Sequence, residues 1–391
     1  MTSVKFIHTA DWHLGKPFAG VDDPQKRALL QNMRVAAIHR MSEIAKESNS
    51  EFVVVSGDLF DSPSASKSTV SAACSAIGSI GVPVYVIPGN HDHGGPGCLW
   101  KQEFFEGERK QLAKNLHVLL TTKPVELDNA VLFPCPLLQR HDDSDPTTWL
   151  RTLDAELGKY GNKARIVIAH GSVHDFTGIS DDEDQFTRPP NLIDLELLNE
   201  TDFDFIALGD WHGTKQVGSK AWYSGTQETD RFYKGGDYNP GNILAINAER
   251  NKIAEVEVVS TSTAMWHDLS FCFSDDLSLD ALAAKVDDLI GRRVNADLLH
   301  LHLEGSLSIA AISRLEQMLD SWTARLIRVK LENQTTISPS DNELDEMVRR
   351  SEDPLIASVA ARLVAQLSAD EEESNVARVA LRELYAACHS K

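Results

Sequence analysis

The chain has 391 residues, 42% of them hydrophobic and 25% charged, with 38 Lys and Arg against 58 Asp and Glu for a formal net charge of −20. That length admits two or three domains with sizeable cores, and no apolar run is long enough to span a bilayer. So large an acidic excess excludes a protein that grips nucleic acid by its own overall charge, because Lys and Arg neutralising phosphates dominate such binding. In chain order, VKFIHTA (4–10) predicts a strand. Leu29, Leu30, Met33, Ala37, Met41, Ile44 and Ala45 then recur at helical spacing, which predicts a helix over 26–47. FVVVSG (52–57) is a second strand, a small-residue helix follows near 67–80, and VPVYVIPG (82–89) is a third strand. RIVIAHG (165–171) and FDFIALG (203–209) are further strands. Near-continuous apolar strands alternating with helices predict an α/β sheet buried on both faces. Between about 222 and 259, AWYSG, GNILAIN and KIAEVEVV predict antiparallel strands that close a second sheet. The composition shifts at STSTA (260–264). Beyond it, 265–337 reads as a small α+β unit, with helices over 279–290 and 308–320 and strands in DLLHLHLEG and RLIRVKLEN. SPSDNE (338–343) breaks the pattern before a helical tail over 341–389, so the expected domains are 1–262, 263–340 and 341–391.

Each strong strand ends in polar residues: Asp11-x-His13, Gly57-Asp58, Gly89-Asn90-His91-Asp92, His170-Gly171 and Asp210-x-His212. In open α/β sheets, ligands bind beyond the carboxyl ends of the strands. Carboxylates, imidazoles and one amide oxygen, with no thiolate, suit borderline-to-hard divalent ions. Seven such donors exceed one tetrahedral centre and fit two ions sharing a carboxylate. A lone DxH or GD is commonplace, and a lone histidine on an apolar strand, such as His8, is usually packed in a core. Five such blocks in order, each at a strand end, are not commonplace. Lys16, just past the first block, and Arg231, after GTQETD, are candidate phosphate contacts. His93 and His174 lie near ligands in sequence, whereas His117, His141 and His300 have no constellation around them.

The ordered blocks DxH, GD, GNHD, H and GxH, all between 11 and 212, resemble the signature of the calcineurin-like metallophosphoesterase superfamily. Within it, FIHTADWHLG (6–15), SGDLFD (56–61) and YSGTQE (223–228) are similar to the SbcD-type DNA double-strand-break repair exonucleases. The resemblance covers about 1–260 well, and the unit at 265–337 is weakly similar to that family's capping domain. It implies a four-layer α-β-β-α core with a small α+β cap and a helical C-terminal tail. It also implies that Asp11, His13, Asp58 and His212 hold one ion. Asp58 would bridge to a second ion held also by Asn90, His170 and Asp210. His91 would face the substrate, with Asp92 orienting its ring. Manganese is the ion commonly used in the family, with Mg2+, Fe2+ and Zn2+ as alternatives. The family's last block is usually GHxH, whereas this chain has Gly209-Asp210-Trp211-His212. A carboxylate at 210 either ligates, adding one negative charge to the site, or stands outside the ligand set.

The resemblance further implies DNA as substrate, an SbcC-type coiled-coil ATPase as partner and a homodimer. Such a partner would supply the DNA grip that a charge of −20 denies this chain. In the tail, Leu355, Val359, Leu363 and Val364 share one helix face, which either docks on a partner helix or packs on the chain's own cap. The stretch MTSVKFIHTADWH lacks the layout of a secretory leader. The five cysteines form neither CxxC pairs nor a disulfide framework, which suits a reducing cytoplasm. Two other functions stay open: a phosphoesterase for nucleotides, other small phosphoesters or phosphoproteins, and a metal-binding scaffold with weakened catalysis.

Overall fold

The computed structural model describes residues 3–153, 156–173, 190–199, 201–232, 238–368 and 371–389, in two compact units, 1–264 and 265–391. In the first unit, β1 (Val4–Thr9), β2 (Phe52–Ser56), β3 (Val84–Ile87) and β4 (Leu116–Val118) run parallel. Parallel neighbours need long crossovers, and α1 (Pro24–Glu47), α2 (Lys67–Gly78) and α3 (Glu103–Leu112) supply them. Asp23 starts α1: its carboxylate accepts from the Gln25 N–H at 2.7 Å, and Pro24 occupies the first turn, where no N–H is missed.

A second sheet contains β5 (Val125–Glu126), β6 (Ala130–Cys135), β7 (Ala164–His170), β8 (Phe205–Gly209), β9 (Lys215–Gln216) and β10 (Ala221–Tyr223). Its order is β5-β6-β7-β8-β10-β9, with β6, β7, β8 and β10 mutually parallel. The chain then returns to the first sheet as β11 (Asn242–Ala248), antiparallel to β1, and β12 (Glu255–Ser260). That return corrects one expectation. Of the three segments between 222 and 259, only AWY joins the second sheet, parallel to β8, while the other two extend the first. Ile243, Leu244, Ile246 and Ala248 are buried, and such a strand fits beside any apolar neighbour, so its local pattern does not say which sheet it joins. The β6 strand carries Pro134, and a proline in the local pattern argues against a central strand.

The two sheets face each other across a shared core. Phe6, Phe52, Val54 and Ile87 of the first meet Leu132, Ile166, Ile168 and Phe205 of the second. The other face of the first sheet, with Ile7, Val53, Val55 and Val86, packs on Ile38, Met41, Val70 and Ile77 of the helices. Strands apolar on both faces thus read as continuous runs. The architecture is the expected α/β core. Among the described residues, the far face of the second sheet is covered by short 3-10 turns, Thr148–Thr152, Leu157–Tyr160 and Leu195–Leu197. His8 is a packed core histidine, as expected. Burial lowers its pKa to about 3, and its Nε2 lies 3.2 Å from the Leu208 carbonyl.

The second unit is built on parallel strands: β13 (Met265–Phe273), β14 (Asp297–Leu307), β15 (Arg328–Asn333) and the short β16 (Thr336–Ile337). Helices α4 (Ser278–Ile290) and α5 (Ile309–Arg325) cover one face, where Leu299, Leu301 and Leu303 meet Leu282, Val286 and Leu315. Three helices follow, α6 (Asp341–Val348), α7 (Pro354–Gln366) and α8 (Glu371–His389). Ile309, Met347, Ala360 and Leu381 form their shared core, with Leu363 and Val364 packed against it. The stripe on α7 is therefore split: Leu355 and Val359 are exposed, as are Val376 and Val379 of α8. Among the described residues, no helix is long and apolar enough to cross a membrane.

The break at SPSDNE is a capping box, in which Ser340 and Glu343 exchange side-chain and backbone hydrogen bonds. The Glu343 carboxylate also accepts from the Ala310 N–H at 2.7 Å and the Ile309 N–H at 3.3 Å, at the start of α5. One buried carboxylate thus closes two helix ends. Glu343→Ala is expected to destabilise the second unit by about 2–3 kcal/mol, since charged hydrogen bonds are lost and buried donors left unmet. Urea unfolding followed by the fluorescence of Trp322 and its neighbours checks this.

Candidate metal centre

The ends of β1, β2, β3, β7 and β8 meet at one edge of the facing sheets. The loops after β1 and β2 are joined by backbone bonds: Asp11 N–H donates to Gly57 O at 3.1 Å and His13 N–H to Asp58 O at 2.9 Å. Within the second sheet, the turns after β7 and β8 are joined likewise, Gly171 N–H donating to Gly209 O at 3.1 Å. Two glycines permit this closeness. A Cβ on Gly57, whose φ is +90°, would stand 2.2 Å from His170 Nδ1, and one on Gly89 would stand 2.2 Å from Asp58 Oδ1. Asp11, His13, Asp58 and Asp210 themselves take positive φ, of 54°, 39°, 53° and 107°. Of the nine such non-glycine residues among those described, four others are asparagines, which tolerate this region, and the fifth is Phe18. The strain at the four site residues is held in place by the surrounding packing, as is common where side chains must point inward for function.

The donors converge. His13 Nε2 lies 3.1 Å from His212 Nε2 and 3.6 Å from Asp58 Oδ2. His170 Nε2 lies 3.5 Å from the same Asp58 Oδ2 and 2.9 Å from Asn90 Oδ1. Asp11, Asp58 and His170 form one tight group, and Asp11, His13 and His212 another. Asp210 stands further out, its Oδ1 3.9 Å from His170 Nε2 and its Oδ2 accepting from Ser172 Oγ at 2.7 Å. Its backbone N–H donates to both oxygens of Asp11, at 3.1 and 3.2 Å.

Each ring is turned so that Nε2 faces inward. His170 Nδ1–H donates to the Ser56 carbonyl at 2.8 Å, and His212 Nδ1 lies 2.9 Å from both Asp230 Oδ2 and Arg231 Nη2. Asp61 Oδ1 lies 3.2 Å from His13 Nδ1. Acceptors beside the outward nitrogens of His170 and His212 are what metal-binding histidines ordinarily have, whereas Asp61 stands near His13 Nδ1 without a hydrogen bond. The electrostatics point the same way. Burial pushes the Asp11 carboxyl well above the carboxylate range against the pull of His170, and the charges of Asp58 and Asp210 add to the rise. For His170, burial opposes the charged ring, yet Asp58, Asp11 and Asp210 overcome it and raise the pKa to about 9. Buried carboxylates here call for positive charge at the inward nitrogens, and a divalent cation meets that need better than a proton. The residues present therefore fit divalent cations.

The profile of the calcineurin-like phosphoesterase family matches residues 4–239. The chain belongs to the calcineurin-like phosphoesterase family. This phosphoesterase is similar to the SbcD component of the nuclease SbcCD of Staphylococcus epidermidis, 24% identical over 224 residues that cover 54% of this chain and 57% of that protein. It thus spans little more than half the length of that curated relative. A solved structure from Thermus thermophilus superposes with a TM-score of 0.40 at 10% identity, over 66% of this phosphoesterase and all of that protein. A likeness that distant carries no argument about function.

The structure departs from the sequence reading at the substrate side. Asp92 does not orient the His91 ring. Its carboxylate turns inward and accepts from the Gly89 N–H at 2.8 Å and the Phe60 N–H at 3.0 Å, bracing the loop after β3. Burial, with the Asp58 charge adding to it, raises its pKa to about 7. The His91 ring is held instead by the Asp61 carbonyl, 2.9 Å from Nδ1. Lys16 and Arg231 both reach Asp230, with Lys16 Nζ at 3.0 Å from Oδ2 and Arg231 Nε at 3.4 Å from Oδ1. Burial would raise Asp230, but His212, Lys16 and Arg231 hold it well below the usual carboxylate range. Asp61 and Asp230 were not singled out as site residues. Asp61 sat in view within SGDLFD, but nothing in the spacing ties Asp230 to His212. His174 lies outside the described residues.

Asp230→Asn keeps the shape but weakens the acceptor that fixes His212. Calorimetric titration of the metal-free chain with Mn2+ is expected to show about 10–100-fold weaker binding.

Proposed function

We propose that this phosphoesterase is a two-metal-dependent phosphodiesterase that serves as the DNA exonuclease or endonuclease subunit of an SbcCD-type repair complex. The observation that carries the two-ion reading is the place of Asp58 Oδ2, 3.6 Å from His13 Nε2 and 3.5 Å from His170 Nε2. In this reading Asp11, His13 and His212 would hold one ion, Asn90, His170 and Asp210 the other, and Asp58 would serve both. An oxygen-rich set with imidazoles and no thiolate suits Mn2+. When bound, such ions polarise a phosphoester and lower the pKa of water toward neutrality. The chain's own part is orientation and proton transfer. The Asp61 carbonyl fixes the His91 ring through Nδ1, which leaves Nε2 as the atom that would deliver a proton to the departing oxygen. Asp58 Oδ1 accepts the His91 backbone N–H at 2.9 Å, tying that loop to the ligands. Lys16 and Arg231, beside His212, add positive potential toward a bound phosphate.

The DNA assignment is supported by the similarity to the SbcCD component and by the FIHTADWHLG block. The net charge of −20 makes an SbcC-type coiled-coil ATPase the natural source of DNA affinity. Leu355, Val359, Val376 and Val379 offer it an exposed apolar surface, and the family suggests a homodimer. Cys74, Cys98, Cys135, Cys272 and Cys388 are all free, consistent with a cytoplasmic setting.

Mn-dependent release of nucleotides from linear duplex DNA, beside a generic phosphodiester and with or without the ATPase, tests the reading. Hydrolysis of the generic ester with none of DNA in either setting would favour the small-phosphoester alternative. His91→Ala is expected to lower kcat by about 10²–10⁴-fold with unchanged metal content by elemental analysis. Asp58→Ala is expected to lose both ions and all turnover.

A further inference from the structure

The sheet of the second unit has a polar face opposite the one covered by α4 and α5. His300 and His302, two residues apart on β14, point to that face together. Strand pairing sets Asp268 of β13 beside His300 and Glu332 of β15 beside His302. The expectation that His300 has no constellation is thereby corrected. Its partners lie about thirty residues away on either side, and only the parallel register brings them alongside.

The geometry is specific. Glu332 takes both rings from one side, with Oε1 at 2.9 Å from His300 Nε2 and Oε2 at 3.1 Å from His302 Nδ1. Lys330 Nζ, 3.0 Å from Glu332 Oε1, balances that carboxylate's charge. With those nitrogens donating to Glu332, the other two, His300 Nδ1 and His302 Nε2, turn their lone pairs toward a single point. They lie 3.2 Å apart. The Asp268 carboxylate closes the triangle, with Oδ2 at 2.9 Å from His300 Nδ1 and Oδ1 at 3.5 Å from His302 Nε2. Two lone pairs and a carboxylate at such separations repel one another unless a cation or shared protons stand between them. Tetrahedral coordination with bonds of about 2.0–2.2 Å sets its ligand atoms about 3.3–3.6 Å apart, which the separations of 3.2 and 3.5 Å approach, while the 2.9 Å pair would open slightly.

We propose that His300 Nδ1, His302 Nε2 and the Asp268 carboxylate form a second metal site, for a zinc-class divalent cation, with Glu332 orienting both rings. Two imidazoles and one carboxylate are a borderline-metal donor set, and a fourth position is open to water beside the partly exposed Asp268. The cation would brace β13 to β14, with Glu332 extending the brace to β15. The proposal is independent of the nuclease reading, because none of these residues belongs to the phosphoesterase centre.

The test is zinc titration of the metal-free full chain by calorimetry, with elemental analysis and thermal melting. His302→Ala is expected to bind one equivalent of zinc fewer than the parent. Asp268→Asn, which preserves shape at a partly exposed position, is expected to bind that equivalent at least about tenfold more weakly. Both should lose the part of the zinc-induced rise in melting temperature that belongs to this site, while Mn-dependent phosphoester turnover stays unchanged. Should His302→Ala misfold, as circular dichroism of the metal-free protein would reveal, Asp268→Asn decides alone. Parent-like stoichiometry, affinity and thermal shift in the folded variants would overturn the proposal and leave an ion-pair cluster that shares protons.

Discussion

Asp11 and Asp58 are shut away from water within reach of one histidine, and the first unit is organised around that crowding. Placing carboxylates there is unfavourable unless positive charge and hydrogen-bond donors surround them. The fold meets the demand with backbone N–H groups from Asp210 and His91 and with inward nitrogens of three histidines. What remains is a shortage of positive charge at the centre, which a divalent cation would meet.

The crowding has to be enforced from outside, and Arg34 is central to that. It is buried in α1 and donates to the carbonyls of Asp11, Trp12 and Glu228 and to Thr226 Oγ1, at 2.8–3.0 Å. Burial pulls its pKa down, with Asp230 and Glu228 opposing. A single guanidinium thus fixes the strained turn that bears Asp11 and ties it to the loop after β10. Glu228 carries the tie further: it pairs with Arg40 at 3.0 Å and accepts from the Thr263 and Ala264 N–H groups. The positive φ values at Asp11 and His13 persist because these bonds leave the turn no alternative.

The same logic separates what was legible early from what was not. The ligand blocks could be read because each joins a recognisable buried strand to a polar end, so local pattern and chemistry coincide. Asp92 misled because adjacency to His91 suggested a partnership, whereas the two side chains bond to different backbone groups, Asp92 to the Gly89 and Phe60 N–H groups and His91 to the Asp61 carbonyl. Arg34, Asp61 and Asp230 act through what they touch from distant parts of the chain, and nothing in their own neighbourhoods announces it. The second cluster is the extreme case: His300 reads as an isolated histidine until β13 and β15 are laid beside β14.

The sequence by itself determined the buried strands, the glycines at their ends and the types of donor placed after them. These depend on side-chain polarity and backbone freedom over a few residues, and both are local properties. Only the tertiary structure decided which sheet each returning strand joined, which nitrogen of each ring turned inward, and which carboxylates came to face one another. Those outcomes depend on pairings between segments far apart in the chain, where one apolar strand competes with another on nearly equal terms and the packed whole selects among them.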